Sequence, residues 1–174
     1  MSLIDVIRNV AIALSVLVIL IGAVLLLTGP EKLSGLIGRR DLPAVDFATL
    51  EHRPGPQAEG YLVCPADACP LSAPDETAPR LAIPVERLRA RLFEYVESSP
   101  RIRSFRLDPA HEQYVFLESD PGMTVPDVVT VRLYPTPDGG STLAIYSWSP
   151  RGTDPARQGE RIRRWLVILA GKNS

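Results

Sequence analysis

Between Val10 and Leu27 the chain reads VAIALSVLVILIGAVLLL, in which Ser15 is the only polar side chain and no residue is charged. A core helix normally keeps a polar stripe, so an unbroken apolar run of this kind predicts a membrane span. At about 1.5 Å per residue the run, extended by Ile7 and Thr28, is long enough for a hydrocarbon layer of about 30 Å. The following LLLTGPEKL holds no small-x-small cleavage site, which argues against a removed signal peptide.

The span divides the rest of the chain. Residues 1–9 form a short tail, 10–28 the transmembrane helix, 29–60 a juxtamembrane stem and Pro-rich linker, and 61–171 a soluble α+β domain. Counting Arg8 against Lys32, Arg39 and Arg40 favours a cytoplasmic domain. The very short tail, the Pro-rich stem and the nearby cysteines favour the extracytoplasmic side, and the expectation follows them: a single-pass protein of the bacterial inner membrane with the bilayer as a partner. The balance of 19 Lys+Arg against 20 Asp+Glu gives a net charge of −1 and no field that would attract nucleic acid.

Within the domain, YLVC (61–64) and LAIPV (81–85) read as strands. Pro84 then opens a helix with Val85, Leu88, Leu92, Tyr95 and Val96 on one face. Four strand-like runs start at Ile102, Glu112, Asp127 and Ser141, with short turns within each successive pair that make those neighbours antiparallel. Asp154 caps a last helix that starts at Pro155, with Ile162, Trp165, Leu166 and Leu169 as its apolar face and Arg157, Arg161, Arg163 and Arg164 behind it. The expected fold class is α+β: the transmembrane helix plus a curved antiparallel sheet packed by two helices, in the order β-α-β4-α.

Few residues offer chemistry. Cys64 and Cys69 in CPADAC are too few for a four-ligand zinc site; they form either a disulfide across the turn or two inert thiols. No metal site, cofactor or catalytic set is expected, since nucleophile elbow, His/Asp pair and phosphate-binding glycine loop are all missing from the sequence pattern. His52 falls in the linker and His111 in a hairpin turn, and both are read as surface residues. Ser147, Ser149, Arg151 and Asp154, where a strand hands over to the final helix, are the candidate ligand-binding cluster: a helix N-terminus there would hold an anion, or else these residues make a capped turn.

The segments Leu81 to Pro84, Val125-Pro126-Asp127-Val128, and Tyr146-Ser147-Trp148-Ser149-Pro150-Arg151-Gly152 with Asp154, Arg161 and Ile162 resemble a bacterial family, domain-of-unknown-function family 1499 (DUF1499). The resemblance covers about Tyr61 to Leu169 and departs from the family at Tyr146 and Pro150, where arginines are usual, and near Gln158, where an asparagine is. It implies the fold and membrane association, without a reaction. The element order also resembles the helix-grip, START-like architecture. Function is therefore expected to be non-enzymatic: an envelope domain that binds a lipid, an apolar small molecule or a protein partner in a cavity between sheet and helices. The alternative is a hydrolase or cyclase-like enzyme using Asp127, Arg132, Tyr134 or Tyr146 in that cavity.

Overall fold

The computed structural model describes residues 15 and 42 and residues 45–171 apart from 123 and 153. Six strands, β1 (Gly60–Cys64), β2 (Glu76–Thr77), β3 (Ile102–Asp108), β4 (Gln113–Glu118), β5 (Asp127–Pro135) and β6 (Ser141–Trp148), form one sheet in the order β2-β1-β6-β5-β4-β3. Helix α1 (Val85–Ser98) precedes β3, and helix α2 (Pro155–Leu169) follows β6.

Two features of the expected fold class need correction. The expected span, 10–28, lies outside the described residues, and among the described residues no helix is long and apolar enough to cross a membrane. Helices α1 and α2 have 14 and 15 residues and carry three and four arginines. What the described residues support is thus an α+β fold in which no helix is long and apolar enough to cross a membrane, and the expectation of a single-pass inner-membrane protein is not supported. The sheet, moreover, is mixed rather than antiparallel, because β2 runs parallel to β1 with Val63 opposite Glu76. The run 81–85 contributes only an isolated bridge, Leu81 to Ser141. Prolines at 79 and 84 bracket this stretch and limit its pairing to the reciprocal Leu81–Ser141 bonds, while the short Glu76–Thr77 segment takes the sheet edge beside β1.

Both sheet faces are covered. On one, Leu88, Leu92 and Val96 of α1 and Ile162, Trp165 and Leu169 of α2 pack on Tyr61, Val63, Tyr114, Phe116, Val129, Val131, Leu133, Leu143 and Ile145. The spacing is helical in the first set and alternates along strands in the second, as burial of one stripe and one face requires. Trp165 fills the space where a cavity was expected: it is fully buried, 5.2 Å edge-on from Tyr95 and 5.5 Å from Phe116 between ring centroids. The buried side chains of sheet and helices meet around it in one continuous apolar cluster.

The opposite face carries Leu62, Cys64, Ala144 and Tyr146, which the chain from Val45 onward covers. Phe47 is fully buried in this layer, with Val45, Leu50 and Ala68 packed beside it. The compact unit accordingly begins at Val45, and residues 45–60, expected to be linker, belong to it. Apolar Phe47 and Leu50 find a sheet face to bury against, which outweighs the loop-forming prolines around them.

Candidate functional site

Two polar constellations lie on opposite faces of the sheet. Under α2, Glu118 on β4 and Asp127 on β5 are directly opposed across the ladder, at 5% and 0% exposure. Two carboxylates abreast repel and are costly to bury unless cations reach them. Arg161, itself fully buried, supplies the charge: its Nη1 is 2.8 Å from Asp127 Oδ2, its Nη2 2.7 Å from Asp120 Oδ2, and its Nε 3.2 Å from Glu118 Oε2 as a charge contact without hydrogen-bond geometry. Arg157 adds a contact of 3.1 Å to Asp127, and the Trp165 indole N–H donates to Glu118 at 2.8 Å. Gln158 links the cluster to Ser147, whose hydroxyl donates to Gln158 Oε1 at 2.5 Å, while Gln158 Nε2 donates to Asp127 at 3.2 Å. The carboxylates are occupied by the protein's own cations, which makes this a device for locking α2 to the sheet.

The expected ligand-binding cluster is not assembled. Ser147 faces α2 within the buried network, Ser149 Oγ accepts from the Arg151 N–H at 3.4 Å, Arg151 is exposed, and Asp154 caps α2 by accepting from the Arg157 N–H at 3.2 Å. The helix N-terminus is thus satisfied from within. Nor do the alternative's four residues meet. Asp127 belongs to the helix side, whereas Arg132, Tyr134 and Tyr146 alternate onto the other face, where Arg132 sits 5.4 Å over the Tyr134 ring. Cys64 and Cys69 are joined in a disulfide, with Cα atoms 6.4 Å apart, that closes the loop lying on the second face.

The second face holds the more open constellation. His52 is buried at 5% exposure, and its Nε2 is 2.7 Å from Asp75 Oδ2. Asp75 Oδ2 also accepts the Leu62 N–H of β1 at 2.8 Å, so the pair is fixed to the sheet. The backbone around it is likewise pinned: the His52 N–H donates to Ser72 Oγ at 3.1 Å, and the His52 carbonyl accepts from Ala73 N–H at 2.9 Å. Beside it stands Tyr146, opposite Leu62 in the ladder, its ring centroid 5.7 Å from the imidazole and inclined at 69°. Burial, reinforced by the negative charges of Glu59 and Asp75, pushes the Tyr146 phenol up to about 12. His52 and Tyr146, with Leu50, Glu51, Arg53, Ala58, Glu59 and Leu71, line a cleft of about 480 Å³.

An aspartate-held histidine is two-thirds of a hydrolytic triad, but the cleft lining contains no serine, threonine or cysteine to serve as nucleophile. Among the described residues, no group of three or more His, Cys, Asp or Glu side chains is arranged to hold a metal ion. His52, Asp75 and Glu59 were invisible as a site in the sequence, because 23 residues separate His52 from its partner and no spacing rule links them. The one available signal was the apolar pair Phe47 and Leu50 just upstream, which marks this stretch as packed rather than free. No family model matches the chain, and no curated protein or solved structure is detectably similar to it.

Proposed function

We propose that the domain is a non-enzymatic binding module whose site is the cleft between residues 50–59 and the second face of the sheet. The observation carrying this reading is the His52–Asp75 pair, buried and locked in orientation, beside Tyr146, which lines the cleft and whose hydroxyl reaches its solvent without a hydrogen-bond partner among the described residues. Orienting a histidine so firmly at an opening that lacks a nucleophile fits recognition better than catalysis. The resemblance to DUF1499 brings no reaction, and the reading rests on the cleft alone.

A fragment screen on the full-length protein, followed by NMR signals of the tyrosine and histidine rings, tests it. Fragments that bind should shift His52 and Tyr146 while leaving the Trp165 indole signal in place. Hits that move Trp165 and spare the cleft would return the binding site to the helix side and defeat the proposal.

A further inference from the structure

The donors and acceptors of the cleft define what it can take, provided that the cleft is the binding site. Asp75 can only accept from His52, so the neutral imidazole carries its proton on Nε2 and presents Nδ1 as an acceptor. Glu51 and Glu59 at the cleft margin are exposed carboxylates, acceptors only, and outnumber the single exposed cation there, Arg53. The Tyr146 hydroxyl, on a residue only 6% exposed, has no partner among the described residues and offers the cleft a lone pair as well as its O–H. Leu50, Ala58 and Leu71, the last 59% exposed, supply the apolar part of the wall. The set is rich in acceptors, carries excess negative charge and includes an apolar strip.

We propose that this cleft binds a cationic N–H donor on an aliphatic stem, the chemistry of an arginine or lysine side chain. The head group donates to Glu59, the Tyr146 oxygen and His52 Nδ1, and its methylene stem lies along Leu71 and Ala58. An anionic head would face two carboxylates and an acceptor nitrogen against the one cation Arg53, and a purely apolar ligand would strand the Tyr146 hydroxyl and His52 Nδ1 without water or partner.

The test is an NMR titration of the full-length protein with N-acetyl-L-arginine methylamide, following the His52 and Tyr146 rings. Capped citrulline, which replaces the guanidinium by a neutral group of similar shape, and capped glutamate are run in parallel. Saturable shifts with capped arginine are expected, with capped citrulline at least about tenfold weaker. Glu59→Gln and Tyr146→Phe, each with unchanged backbone spectra, should both weaken the arginine probe severalfold. Agmatine distinguishes the source: tighter binding than capped arginine points to a free amine, weaker binding to a side chain on a peptide. If citrulline or glutamate binds the cleft as well as arginine does, the cationic assignment is overturned while the cleft remains the site. Failure of every probe, together with fragments that bind only elsewhere, overturns both.

Discussion

Arg161 shows how one side chain can decide whether a sheet accepts its own charges. With the guanidinium present, Glu118 and Asp127 are neutralised; with Arg161→Met, two adjacent carboxylates stay buried with less than their share of cation. Removing one partner of a buried ion pair costs about 3–5 kcal/mol, and urea unfolding of Arg161→Met should show a loss of that size. A loss below about 1 kcal/mol would mean that the network is far better solvated than its burial implies. Gly60 is constrained differently: a Cβ there would lie 2.5 Å from the Ser147 carbonyl and 2.8 Å from the Tyr146 ring. Gly60→Ala should therefore destabilise by about 1–3 kcal/mol and displace Tyr146, seen as altered ring shifts. Sequence pattern places Arg161 behind the apolar face of α2 with the other arginines, yet positions 158, 161, 162, 165 and 169 share one buried helical face. Hydrophobicity alone assigns an arginine outward; only the carboxylates brought by β4 and β5 reveal why it points in.

At the scale of elements, α2 and the disulfide loop carry separate predictions. Asp154→Ala removes the side chain that accepts the Arg157 N–H and should cost about 1 kcal/mol, read as a lowered thermal midpoint. The cap was legible in the sequence because Asp-Pro before an amphipathic run has one local meaning. The disulfide closes only a short loop, so replacing both Cys64 and Cys69 by alanine should lose about 2 kcal/mol in denaturant unfolding. Strand β5 was equally plain, since Val129, Val131 and Leu133 alternate with Thr130 and Arg132. Strand β2 was not: a two-residue parallel pairing has no periodicity to read, and it forms only because β1 is already held by β6. The segment 45–59 failed for a related reason, because its anchoring bonds reach residues 72, 73 and 75 across the disulfide loop.

For the whole molecule, proton linkage offers a measure of how closed the fold is. Burial raises all five tyrosines, and Tyr61, Tyr114 and Tyr146 are pushed up to about 12, helped at Tyr61 and Tyr114 by hydrogen bonds to Glu76 and Glu112. Unfolded tyrosines ionise near 10, so the unfolded chain releases protons first. Stability is then complete below about pH 10 and falls as pH rises toward about 12, which urea midpoints across that window should follow, with tyrosinate absorbance appearing late in the native protein. The same burial separates the two faces: one closed over Trp165 and the Arg161 network, the other opening at His52 and Tyr146. Crystals of the full-length protein soaked with a chemically mixed fragment set test that division most directly. Density is expected against Tyr146 and His52 and none between the sheet and the helices; ordered fragments beneath α1 and α2 with the His52 cleft empty would contradict that division.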